Sequence, residues 1–259
     1  IRTDHECDTA DGLVERAQRG IYTLIRQGTV CRDLLKMLPA VNDKNSRMLC
    51  FSTDDKHLDD LIINGGVDIN VRLAIQNGLN PVTAVQMATL NAARCYGLRN
   101  KGAVAPGYTA DFSILKDLET IDIESVYKNG RLVAKDGKII DPVNPEICLP
   151  QKALISSINI PQISLSDLEI DMKGSTIANV IEVVPDTVVS EHLKENVDVM
   201  DGFFKPNTVR DQLKIAVIER HKNKGSKGVG IIKGLKLQKG AIATTIAHDS
   251  HNLIVVGAN

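Results

Sequence analysis

The apolar positions of this chain follow helical spacing in places, run together in others, and alternate with polar residues over the second half. Between residues 9 and 28, Leu13, Ala17, Ile21, Leu24 and Ile25 fall at helical spacing, which predicts one helix with Thr9 or Asp11 as its N-cap. A second helix is predicted over residues 30–38, ended by Pro39. Met48, Leu49, Cys50 and Phe51 are then four apolar residues in a row, the pattern of a short strand buried on both faces. That run stops abruptly at Ser52, Thr53, Asp54, Asp55, Lys56 and His57. A short turn of helix should follow, then a break at Gly65-Gly66 and a helix over residues 69–76 closed by Asn77-Gly78. Asn80 as N-cap and Pro81 at the first helical position open the best-specified helix, whose stripe of Val82, Val85, Met87, Ala88 and Ala92 runs toward Tyr96-Gly97.

Beyond Gly97 alternation replaces helical spacing. A Pro106-Gly107 turn leads into a strand over residues 110–115, and residues 125–140 read as three short strands joined at Asn129-Gly130 and Asp136-Gly137. A linker with three prolines is expected over residues 141–150. After it come β-branched runs at 177–184, 213–220, 229–233, 241–246 and 253–256. The basic segment HKNKGSKG at 221–228 lacks the order of a phosphate-binding loop and is expected to be a mobile, solvated loop.

Composition narrows the function classes. With 31 basic and 32 acidic residues the formal charge is −1, so no electrostatic footprint for nucleic acid or anionic lipid is visible. With no Trp, four Tyr and four Phe, stacking platforms for single-stranded nucleic acid are absent. The apolar runs are too short to span a membrane and the N-terminal residues do not form a signal peptide, so the expected location is the cytoplasm. Five cysteines without a CxxC pair predict free thiols acting as small apolar fillers. A small neutral ligand is the partner that fits this balance.

Two clusters carry candidate chemistry. Asp4, His5 and Glu6 stand together with almost no chain before them, and Asp54 ends a buried strand. A short buried strand ending in acids is how an α/β barrel delivers a catalytic group, because its site lies at the C-terminal ends of its parallel strands. His5 and Asp54 suit a divalent ion that activates water, but two donors do not make a site and the sequence has no HxH. A third cluster, His248, Asp249 and His251, precedes the apolar LIVVG. Its two histidines would share one side of a turn if that turn were helical.

The segments TDHE at 3–6, STDDKHLDDL at 52–61, NPVTAVQMATLNAARCYGL at 80–98, GAVAPGYTADFSIL at 102–115 and GAIATTIAHDSHNLIVVGAN at 240–259 together resemble adenine deaminase of the amidohydrolase superfamily. The likeness keeps its motifs in order over essentially the whole chain, and the AHDSHN ending is its most telling part. The resemblance implies an α/β fold: the C-terminal part of a (β/α)8 barrel over residues 1–98, a small β-domain over 99–148, and an α+β C-terminal domain over 149–259. It implies deamination of adenine to hypoxanthine and ammonia in purine salvage, at a divalent metal, manganese or iron. His5 then matches the metal-facing histidine after the sixth barrel strand. Asp54 matches the aspartate after the eighth, which binds metal and takes the proton of the attacking water. Glu6 would shuttle a proton to the ring. His248, Asp249 and His251 would either close over the purine or form a hydrogen-bonded turn between strands.

The remaining ligands of that pattern, an HxH, a bridging carboxylate and a further histidine, have no counterpart in this sequence. The expectation is therefore a portion of a longer polypeptide, inactive by itself. A homo-oligomer would be in keeping with the family. Another amidohydrolase, such as a deacetylase or cyclic-amide hydrolase, and a non-catalytic binding or regulatory fragment both stay open, because PGYTAD and TDD are shared widely.

Overall fold

The computed structural model describes residues 1–140 and 157–258. The expected linker at 141–150, and Cys148 with it, lie outside the described residues. The chain divides into two compact units, Ile1–Pro145 and Glu146–Asn259.

The first unit begins with three parallel strands in the order β1 (Thr3–Asp4), β2 (Tyr22–Arg26) and β3 (Leu49–Ser52). In register, Asp4 pairs with Thr23 and Arg26 with Ser52, so the three C-terminal ends lie at one edge of the sheet. The middle strand corrects the single helix expected over residues 9–28. Helix α1 (Ala10–Gln18) stops early, Gly20 turns the chain at φ +74°, and Tyr22–Arg26 is extended. Leu24 and Ile25 are adjacent and both buried, which a strand covered on two faces permits as readily as a helical stripe does. Spacing alone could not separate the two.

Helix α2 (Leu34–Met37) is shorter than expected, and Pro39 lies inside the 3-10 turn that follows it. After β3 come α3 (Leu58–Asn64), α4 (Val67–Gln76), α5 (Pro81–Ala88) and α6 (Leu90–Tyr96). The expected helix beyond Asn80 is thus two helices, broken at Thr89. Its start is as anticipated: the Asn80 side-chain oxygen accepts the Val82 and Thr83 amides at 3.0 and 3.2 Å. Leu13, Ile25, Leu34, Met37, Leu49 and Met87 are fully buried around the strands. Burial of each such side chain contributes about 1.5–3 kcal/mol.

A four-stranded antiparallel sheet completes the unit: β4 (Phe112–Asp117), β5 (Asp122–Lys128), β6 (Arg131–Lys135) and β7 (Lys138–Ile139). Asn129-Gly130 and Asp136-Gly137 both sit at positive φ, as two-residue hairpin turns of this twist require.

The second unit holds a six-stranded sheet in the order β14-β15-β12-β13-β8-β9 and a separate hairpin of β10 (Asp198–Met200) and β11 (Phe203–Lys205). The six strands are β8 (Ile177–Val183), β9 (Ser190–Asn196), β12 (Leu213–Ile218), β13 (Lys227–Lys233), β14 (Ala241–Ala247) and β15 (Asn252–Gly257). β9 is polar along most of its length, and its pattern gave no apolar signal. An α+β domain was expected here; the described residues of this unit contain strands and one 3-10 turn, Leu165–Leu168, and no α-helix. Within the basic segment, the Glu219 carboxylate accepts the amides of His221, Lys222 and Lys224 at 2.7, 2.8 and 3.1 Å, so the loop is staked at its base and not merely solvated.

Candidate active site

Three loops leave the C-terminal ends of β1, β2 and β3 side by side. The first carries His5 and Glu6. Its shape is set by Asp4, whose carboxylate accepts the Glu6 amide at 2.7 Å and the Arg16 guanidinium. Burial works to raise the Asp4 pKa, but the Glu6 amide and Arg16 outweigh it and the carboxyl lies below its ordinary value. His5 Nε2 is 3.2 Å from Glu6 Oε1, and both side chains are more than half exposed.

The loop after β3 carries Asp54, at φ +47°, a left-handed backbone region that glycine, asparagine and aspartate tolerate better than other residues. Two buried asparagines brace this strand from the helices. Asn91 Nδ2 donates to the Ser46 and Leu49 carbonyls at 2.8 and 2.9 Å, and Asn70 Nδ2 donates to the Ser52 carbonyl at 2.8 Å. Asp55 faces the neighbouring loop, where its carboxylate accepts the Val30 amide at 2.9 Å and the Cys31 amide at 3.4 Å. Thr29 extends the same stitching: its hydroxyl donates to Asp60 at 2.5 Å and accepts the His57 amide at 2.9 Å. Asp55 is thereby a fastener between the loops after β2 and β3.

Between the two candidate acids lies Arg26, the last residue of β2, with a side chain 3% exposed. Its Nη1 is 3.0 Å from Glu6 Oε2 and 3.3 Å from Asp54 Oδ2, and its Nη2 is 3.0 Å from Asp33 Oδ2. Asp33 occupies the N-cap position of α2 without capping it, because its carboxylate is turned inward to Arg26. The thiol of the adjoining Cys31 is pushed up to about 11, chiefly by burial, with Arg26 acting against it. Neither Arg26 nor Asp33 was singled out from the sequence. The available signal was a lone arginine closing an apolar run, YTLIR, followed seven residues later by an acid.

His5 and Asp54 have the donor chemistry of a divalent metal site, an imidazole and a carboxylate. Their number falls short of one: among the described residues no three His, Cys, Asp or Glu side chains gather where a metal ion could be held.

The third cluster belongs to the turn between β14 and β15 in the second unit. His248 and Asp249 are exposed there, and the rings of His248 and His251 meet edge to face at 4.9 Å. The turn is not helical; it is clasped from β12's exit, where Arg220 Nε donates to the Thr245 and His251 carbonyls at 2.9 and 2.6 Å. His221 Nε2 lies 2.9 Å from the Ser250 carbonyl.

Comparison with known proteins bears on both units. Residues 13–133 match the amidohydrolase family model, and residues 187–259 match that of the adenine deaminase C-terminal domain. The chain is 52% identical over its whole length to an adenine deaminase of Geobacillus kaustophilus. It is 48% identical to one of Halalkalibacterium halodurans and 49% to one of Oceanobacillus iheyensis, again over 100% of the chain. Over its whole length the chain is similar to adenine deaminases. It spans 44–45% of the length of these relatives. The described edge of the first sheet thus brings together three strand ends, one imidazole and a carboxylate pair joined through Arg26.

Proposed function

We propose that this chain is the C-terminal portion of a metal-dependent adenine deaminase that converts adenine to hypoxanthine and ammonia. The observation that carries this reading is sequence identity of 44–52% to adenine deaminases over the whole length of the chain, together with the C-terminal domain match. The same domain match favours this reading over a deacetylase or cyclic-amide hydrolase. Residues 1–98 would be barrel, 99–148 a small β-domain and 149–259 the C-terminal domain.

His5 and Asp54 would contribute to a divalent metal centre, with manganese or iron as the ion and the other donors supplied by the rest of the longer polypeptide. When bound, such an ion supplies Lewis-acid activation of water. The chain's own groups then do the following. Asp54 accepts the proton of the attacking water. Glu6 carries a proton to the purine ring, and the exocyclic amine leaves C6 as ammonia once it has itself been protonated, with the proton taken from the attacking water. His248, Asp249 and His251 would contact the purine. No helix among the described residues is long and apolar enough to cross a membrane, and the free thiols of Cys7, Cys31, Cys50 and Cys95 suit a reducing, cytoplasmic setting.

The test is ammonia release from adenine by the full-length polypeptide. Asp54→Asn should lower kcat by about 10²–10⁴-fold, the range for loss of a general acid or base, and reduce metal content. The 259-residue chain alone should release none. Unchanged turnover in Asp54→Asn would remove that residue from the reaction.

A further inference from the structure

Arg26 has an arrangement that charge neutralisation alone does not require. Asp33, 2% exposed, already balances it: its Oδ2 accepts from Nε at 3.0 Å and lies 3.0 Å from Nη2 of the guanidinium. A guanidinium is planar and permanently charged, so anchoring one edge fixes where the other edge points. The free edge points at the C-terminal ends of the flanking strands. There a single nitrogen, Nη1, reaches both Glu6 and Asp54. Those two carboxylates are on loops that are otherwise fastened separately, the first through Asp4 and Arg16, the second through Asn70 and Asp55.

We propose that Arg26 is a positioning residue of the active site: anchored by Asp33, it holds the Glu6 and Asp54 carboxylates at one point from the middle strand. Its effect on turnover rests on the deaminase reading above; its effect on the two carboxylates does not. Asp33 is the necessary second half of the device, because without that anchor the Nη1 edge is free to rotate away.

The test is nuclear magnetic resonance of the isotopically labelled 259-residue chain at neutral pH. In the wild type the Arg26 Nη protons should give separate, slowly rotating signals with connectivity to the carboxyl carbons of both Glu6 and Asp54. A single averaged signal, or connectivity to Asp33 alone, overturns the proposal. The double variant Arg26→Gln, Asp33→Asn removes the buried pair together and avoids leaving one buried charge alone. In it both carboxyl carbons should shift; unmoved carbons in a folded chain overturn the proposal. Should that variant not fold, Arg26→Lys serves instead, since an ammonium retains the charge beside Asp33 but lacks the second edge, and the same two shifts are expected. In the full-length polypeptide, Arg26→Lys should lower kcat by roughly 10- to 100-fold, the usual cost of losing a residue that orients a metal ligand, with KM moved far less. Equal kcat overturns the proposal. Absence of deamination by the wild type overturns the functional reading instead, and the spectra still decide the role of Arg26.

Discussion

Gly28 and Asp55 approach so closely that a Cβ on Gly28 would lie 1.7 Å from Asp55 Oδ1 and 2.7 Å from the Thr53 carbonyl oxygen. Space alone demands glycine here, since Gly28 is not among the residues at positive φ. A methyl group would push the Asp55 carboxylate off the Val30 and Cys31 amides, parting the loops after β2 and β3. Gly28→Ala should therefore lower stability by about 1–3 kcal/mol, as overpacking does. Denaturant unfolding measures the loss, and increased amide exchange at Val30 and Cys31 would identify its cause. A variant as stable as the wild type, with those amides still protected, would contradict this account of the contact.

Asn91 offers a second check on how β3 is fixed. Its side-chain amide is the donor to two carbonyls, those of Ser46 and Leu49. Asn91→Leu preserves size but leaves both oxygens without that donor. The expected cost is about 1–3 kcal/mol, the desolvation penalty of unsatisfied polar groups. Equal stability in thermal or urea unfolding would mean that water replaces the amide at little cost.

The Cys50 thiol is pushed up to about 12 by burial, with the neighbouring Cys95 adding to the shift. In the unfolded chain a thiol ionises near 9.0. Because the folded value is the higher one, the stability tied to this proton is intact below about pH 9 and is lost as the pH rises toward 12. Over that window the unfolding free energy of the wild type should fall more steeply than that of Cys50→Ala, by up to about 1.4 kcal/mol per pH unit. Parallel slopes would show that Cys50 does not titrate in this way. Consistently, alkylation of native protein at mildly alkaline pH should spare Cys50.

Arg220 clasps the turn that carries His248, Asp249 and His251, through the Thr245 and His251 carbonyls and, by Nη1, the Ser157 carbonyl at 3.2 Å. Arg220→Gln should leave the six-stranded sheet intact while hydrogen exchange rises over residues 245–252. If exchange there matches the wild type, the turn is held by its own strand pairing and the arginine is dispensable.

Much of this fold was legible because the relevant forces are local. Asn80 and Pro81 start a helix through bonds within three residues of the cap, and the Asn-Gly and Asp-Gly pairs set hairpin turns through their own φ values. The strand ending before Asp54 was likewise marked by its continuous apolar run, and the structure extends it over Leu49–Ser52. The strand Tyr22–Arg26 was missed for a physical reason: Leu13, Ala17, Ile21, Leu24 and Ile25 satisfy helical spacing, and only covering the segment on both faces made extension the better state.

The sequence by itself determined the resemblance of this protein to adenine deaminases, its strand-to-acid transition at Asp54, and its candidate residues His5 and Glu6. Only the tertiary structure decided what stands between them. Parallel pairing of β1, β2 and β3 sets the ends of three strands side by side, and this brings Arg26 against Glu6 and Asp54, residues 20 and 28 positions away along the chain. It also turns Asp33 away from the helix it would otherwise cap and toward that arginine. Ion pairing of this kind depends on strand register and burial, which arise from the assembled sheet and leave no period in the chain.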